Sequence, residues 1–191
     1  MKQIPVGIYQ ANCFILGHKE GQGVVIDPGD EALRIMKEVS KSDLKIQYIL
    51  ITHSHFDHTG AAQEIRRITK APILIHALDA SGLNFKPDGY LDEGQKISLE
   101  TYSITVIHTP GHSPGGVCFH TNGAVFTGDT LFSGSVGRTD FPGGDHNGLI
   151  EGVRRKVFPL GDHLRVYPGH GPATTIGKER STNPFFRIHS K

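Results

Sequence analysis

Short apolar runs alternate with polar turns along this chain: "NCFILG" (12–17), "GVVIDPG" (23–29), "QYILIT" (47–52), "PILIH" (72–76), "ITVIHTPG" (104–111), "GGVCFHT" (115–121), "AVFTG" (124–128) and "LRVYPGHG" (164–171). Val, Ile, Phe and Tyr dominate them, and Gly or Pro punctuates nearly every end, as strands bounded by turns require. The opening stretch "MKQIPVGIYQANCFILG" lacks an apolar h-region with a cleavage site and reads as the first strands of the fold. Three stretches carry helical spacing instead. "DEALRIMKEVSK" (30–41) places Leu33, Met36 and Val39 on one face behind an Asp30 cap. "TGAAQEIRRITK" (59–70) aligns Ile65 with Ile68, and "NGLIEGVRRKVF" (147–158) forms the third. Many strands with interspersed helices predict an α/β sandwich, two sheets with outer helices, over residues 1–191 as one domain.

The polar positions are less ordinary. Residues 52–60 read "THSHFDHTG", so His53, His55, Asp57 and His58 crowd the end of a strand-like run. Other ligand-type residues recur in the same setting: His112 after "ITVIHTPG", Asp129 after "AVFTG" and His170 after "RVYPG". Functional side chains gather where strands end, because loops there stand on a rigid base. Zinc takes imidazole nitrogen and carboxylate oxygen, usually with four ligands, and a catalytic site leaves one position to water. His53 and His55 suit one ion, and Asp57 with His58 a second. His112 is placed to complete the first set and His170 the second, with Asp129 as a bridging carboxylate. Such a site holds two ions about 3.5–4 Å apart.

Composition narrows the alternatives. The chain has 12 His but no Trp and only 2 Met, more histidine than packing needs. A net charge of +1 gives no electrostatic reason to expect a nucleic-acid or membrane partner, and no apolar run is long enough to span a bilayer. Two cysteines, Cys13 and Cys118, form no disulfide framework, which implies a reducing, cytoplasmic setting. Both lie in apolar runs, whereas a structural zinc site is usually closed and thiolate-rich.

The motifs "THSHFDH", "TPGHSPG", "TGDTLF" and "YPGHGP", in that order, resemble those of the metallo-β-lactamase superfamily, from about Asn12 to "NPFFR". The resemblance implies an αββα sandwich with two divalent metals at one edge, zinc first, with iron or manganese as alternatives. It assigns His53, His55 and His112 to one site, Asp57, His58 and His170 to the other, and Asp129 to the bridge. Within the superfamily the chain resembles the hydroxyacylglutathione hydrolase (glyoxalase II) branch. That branch's helical glutathione-binding domain has no counterpart after His170, and "SVGRTDFPGGD" is closer to short bacterial-type members. No cysteine sits among the ligand positions, which sets antibiotic hydrolysis aside.

The expected reaction is hydrolysis of a thioester such as S-D-lactoylglutathione to D-lactate and glutathione. A hydroxide bridging the metals forms because bound water falls to a pKa of about 7. It attacks the carbonyl, the cation holds the oxyanion, and Asp57 orients the hydroxide. The same loop resembles that of mononuclear-iron persulfide dioxygenases, which would use His53, His112 and Asp129. Lactone opening and metal binding without catalysis are the remaining readings. Arg138 either grips a substrate carboxylate or pairs with Asp140. Asp27 either supports a ligand histidine or serves a turn before Pro28. His76 and His108 read as structural, His18, His146, His163 and His189 as surface residues, Cys118 as a core thiol, and Arg154 with Arg155 as a solvated helix face.

Overall fold

Two six-stranded sheets stack face to face, and helices cover both outer faces. The computed structural model describes residues 1–187, so His189 lies outside the described residues. The first sheet contains β1 (Lys2–Val6), β2 (Ala11–Gly17), β3 (Gln22–Ile26), β4 (Lys45–Leu50), β5 (Ile73–His76) and β6 (Gly89–Leu91), in that spatial order. Its first two pairings are antiparallel and the last three parallel. Pro5 fits because β1 is an edge strand, where a missing N–H breaks no ladder.

The second sheet begins with β7 (Lys96–Ser98), β8 (Ser103–His108), β9 (Val117–Thr121) and β10 (Ala124–Gly128). A small ribbon, β11 (Leu131–Phe132) with β12 (Ser135–Val136), separates these from β13 (Arg165–Pro168) and β14 (Thr174–Thr175). Its order is β14-β13-β10-β9-β8-β7, and β10/β13 is the parallel pair.

Three apolar layers hold the sandwich. Phe14, Leu16, Val24, Ile26 and Leu50 meet Ile104, Val106, Phe119 and Phe126 between the sheets. The Phe14 and Phe126 rings pack edge to face at 4.9 Å. Val25, Ile49 and Ile73 face outward onto α1 (Ala32–Lys41) and α3 (Ala62–Thr69), which bury Ile35, Val39 and Ile65. On the far side, Cys118, Val125 and Val166 pack under Leu149 of α4 (His146–Gly152) and Ile176 of α5 (Ile176–Thr182). Strands covered on both faces read as unbroken apolar runs, which is why "GVVI" and "YILI" do not alternate.

The helices depart from the expectation in detail. The buried face of α1 is Ala32, Ile35 and Val39, while Leu33 is 75% exposed. Two overlapping stripes satisfy helical spacing here, and packing on the sheet selects the one through Ile35. Asp30 does not cap it: its carboxylate accepts the Glu31 N–H, and Glu31 enters the helix in a left-handed conformation. Ile68 of α3 is 40% exposed. The third helix runs as α4, then a π-helical turn (Val153–Val157) and a 3-10 turn (Phe158–Leu160). Among the described residues, no helix is long and apolar enough to cross a membrane.

Candidate metal centre

Strand direction brings the ligand-type residues together. The ends of β3, β4 and β5 point one way because these strands are parallel. In the other sheet, β8 and β10 both run antiparallel to β9, and β13 runs with β10, so three more strand ends share a direction. Both sets open on one edge of the sandwich. There the Val117 N–H donates to Thr52 O (2.9 Å) and the Asn12 N–H to Gly169 O (2.7 Å), tying sheet to sheet.

All seven candidate residues converge at this edge. The potential ligand atoms of His53, His55 and His112 lie within 4.8 Å of one another, and those of Asp57, His58 and His170 form a second such group. A third group, His53, His58 and Asp129, joins them. Asp129 reaches toward both sides, 3.5 Å from His58 Nε2 and 3.6 Å from His112 Nε2. The expected tight loop is in part a helical turn, α2 (Phe56–Thr59), with His55 at its N-cap and Asp57 and His58 on the turn itself.

The outer nitrogens of His53, His58, His112 and His170 are engaged, which fixes which of their nitrogens faces inward. His58 Nδ1–H donates to Asp27 Oδ2 (3.1 Å), His112 Nδ1–H to the Arg138 carbonyl (2.7 Å) and His170 Nδ1–H to the Tyr9 carbonyl (3.2 Å). Asp27 also accepts the Thr52 amide (2.7 Å) and hydroxyl (2.6 Å), and that hydroxyl accepts His53 Nδ1–H (3.0 Å). Asp27 therefore supports a cluster histidine rather than only a turn.

The residues fit divalent cations on their own chemistry. His53 Nε2 and Asp129 Oδ1 are buried without a hydrogen-bond partner, a costly condition unless something binds them. Two imidazole nitrogen pairs face each other, His55 Nδ1 with His112 Nε2 at 3.0 Å and His58 Nε2 with His170 Nε2 at 3.3 Å. Two lone pairs cannot face each other at that distance unless a proton or a cation intervenes. Burial and the neighbouring imidazoles push His53 well below the usual histidine range. Burial also opposes protonation of His58, but the carboxylates of Asp129, Asp27 and Asp57 overcome it and raise the pKa to about 9. For Asp57, burial acts upward, yet the bond to His170 and the charge of His58 hold its carboxyl low.

Close approach demands glycine at two places. A Cβ on Gly29 would sit 1.5 Å from the Asp57 carbonyl oxygen, and one on Gly169 would sit 2.3 Å from Asp129 Oδ1.

Arg138 forms a bidentate pair with Asp140, both contacts at 2.7 Å, and its guanidinium lies over Phe141 at 4.1 Å. Phe141 in turn meets the His55 ring edge-on at 5.4 Å. Sequence reasoning missed Asp79, a 3% exposed carboxylate from the 3-10 turn after β5. It accepts the N–H of Ser54 (3.0 Å) and of Gly115 (2.6 Å). No local pattern marks it, since its partners are distant in sequence. His76 and His108 stack on each other at 4.1 Å, away from the cluster.

A family model described as the metallo-beta-lactamase superfamily matches residues 6–170. Hydroxyacylglutathione hydrolase GloC of Haemophilus influenzae is 37% identical, with 98% of each chain covered. Among solved structures, the BLEG-1 B3 metallo-beta-lactamase superposes with a TM-score of 0.90 at 36% identity, covering 97% of this chain and 98% of that one. TTHA1623 in a di-iron-bound form gives 0.83 at 38%, covering 97% and 100%. ETHE1 from Myxococcus xanthus gives 0.86 at 29%, covering 96% and 82%.

Proposed function

Because the chain belongs to the metallo-β-lactamase superfamily, whose members bind divalent metal ions, we propose that it is a two-metal thioester hydrolase acting on S-D-lactoylglutathione. The carrying observation is the pair of triads joined by Asp129, with His53 Nε2 and Asp129 Oδ1 buried and unpartnered among them. The likeness to GloC supports this substrate. In this reading His53, His55 and His112 hold one ion, Asp57, His58 and His170 the other, and Asp129 both. Zinc suits the nitrogen and oxygen donors, and the di-iron form of TTHA1623 makes iron the alternative.

When bound, such a pair of ions supplies an activated water at neutral pH and polarises the carbonyl oxygen. The chain's own residues do the rest. Asp27, Arg138 O and Tyr9 O keep the outward nitrogens of His58, His112 and His170 occupied, so the inward ones stay available as lone pairs. Asp57, held ionised, accepts the proton of the attacking water in a hydrogen bond and aims its oxygen at the thioester carbon. Collapse breaks the C–S bond and releases thiolate and carboxylate. Arg138 reads a substrate carboxylate by exchanging Asp140 for it, since the fork geometry already suits a carboxylate. The two buried free thiols, Cys13 and Cys118, support a reducing, cytoplasmic setting.

The likeness to ETHE1 favours a second reading, a mononuclear-iron persulfide dioxygenase using His53, His112 and Asp129. One assay series separates the readings: thiol release from S-D-lactoylglutathione by zinc-loaded and chelator-stripped protein. Metal-dependent release is expected, with KM raised and kcat kept in Arg138→Met. A β-lactam belongs in the same series because BLEG-1 is a lactamase, although the missing cysteine had set that reaction aside. No thiol release, together with oxygen uptake on glutathione persulfide by iron-loaded protein, would transfer the assignment to the dioxygenase.

A further inference from the structure

Asp79 is a buried carboxylate that the proposed chemistry does not use. Among the described residues no Lys, Arg or His lies within ion-pair distance of it, so its partners are two neutral backbone N–H groups. A buried charge without a counter-charge is unfavourable unless one is supplied nearby. The identity of the two partners shows where. Ser54 stands between His53 and His55, and Gly115 belongs to the turn that begins at His112. The carboxylate thus bridges the two loops that carry the whole first triad, one from each sheet. Packing leaves little freedom around it. A Cβ on Gly115 would lie 2.7 Å from Asp79 Oδ1, and one on Gly82, at the end of the same 3-10 turn, would lie 2.3 Å from Ser54 Oγ. The second triad has different supports, Asp27 behind His58 and the Tyr9 carbonyl behind His170.

We propose that Asp79 is a positioning residue for the first triad: it holds the His53–His55 loop against the His112 loop and supplies the negative charge that a cation held there neutralises. The inference rests on the two-metal part of the proposed function and is independent of the substrate. Asp79 touches only the two loops of the first triad, whereas Asp27 backs His58 directly and reaches His53 only through the Thr52 hydroxyl.

The test is zinc binding by the full chain, parent against Asp79→Asn. The substitution keeps the size and one acceptor oxygen, but its amide nitrogen cannot accept the second N–H. Affinity for one of two zinc ions should fall by about 10- to 100-fold, the usual scale for a partner outside the coordination sphere. Imidazole 15N shifts should show His53, His55 and His112 losing the metal while His58 and His170 keep it. Asp27→Asn, which alters the direct partner of His58, should by contrast weaken the ion at His58 and His170. Equal loss at both triads, or no loss at either, overturns the proposal. If Asp79→Asn does not fold, amide exchange in the parent decides. Exchange at Ser54 and Gly115 should slow when zinc occupies the first triad, and exchange indifferent to zinc overturns the proposal. A parent chain that binds fewer than two ions overturns this inference and the two-metal reading together. Two bound ions without thioester turnover remove only the substrate.

Discussion

A fully buried imidazole among three carboxylates keeps its proton far above the usual histidine range. His58 is in that position, raised to about 9 by Asp129, Asp27 and Asp57 against the opposing effect of burial. The unfolded chain titrates near pH ~6.5. A folded pKa above the unfolded one contributes stability that is complete below about 6.5 and lost as pH rises through about 9. Chelator-stripped protein should therefore melt at progressively lower temperature across that window, and His58→Asn should flatten the slope. An equal slope in the variant would falsify the assignment to His58. Metal affinity should rise over the same window, because the bound proton competes for Nε2. At this scale the sequence was informative where chemistry is compressed into short spacing. His53, His55, Asp57 and His58 share one loop, and His112, Asp129 and His170 each follow an apolar run, so all seven were legible. Asp27 was visible only as one of two readings. Asp79 left no trace, because "IHALDASG" resembles any polar turn and its partners are 25 and 36 residues away.

Among the elements, α1 shows where patterning stops. Leu33, Ile35, Met36 and Val39 allow two stripes, and the periodicity does not choose between them. Only contact with β3 and β4 buries Ile35 and leaves Leu33 in water. Ile35→Ala should cost about 2–5 kcal/mol by removing packed core volume. Leu33→Ala should change stability by no more than about 0.5 kcal/mol. Urea denaturation of both variants checks this, and comparable losses would mean the helix sits on its other face. The short strands β11, β12 and β14 were equally illegible. Two residues show no alternation, and these strands exist because tertiary partners hold them. Glu179 is one such partner, a buried carboxylate on α5 that accepts the Gly134 N–H (2.8 Å) in the ribbon and the Thr174 hydroxyl (2.5 Å) in β14.

For the molecule as a whole, the candidate centre spans the seam between the sheets. His53 to His58 follow β4 in the first sheet, whereas His112, Asp129 and His170 follow strands of the second. Ions held there would fasten one sheet to the other as well as serve the reaction. At free metal 100 times its dissociation constant, binding adds about 2.7 kcal/mol. At about 2–4 °C per kcal/mol for a chain of this size, zinc should raise Tm by roughly 5–10 °C over stripped protein. A Tm indifferent to zinc would rule out binding across the seam. The layered architecture was legible from unbroken apolar runs alternating with helical spacing, but strand order was not, since those runs carry no record of their neighbours.

The loop bearing His170 is held by the amino-terminal hairpin. The Asn12 side chain donates to the carbonyls of Pro168 (2.9 Å) and Gly171 (3.0 Å), and the Tyr9 carbonyl takes the His170 proton. On a ribosome Tyr9 and Asn12 are made long before the residues they hold. The hairpin must wait while about 160 residues follow, at about 5–20 residues per second. His53, His55 and His112 are all made before His170, so an ion taken up during synthesis would meet a complete first triad while the second still lacked a ligand.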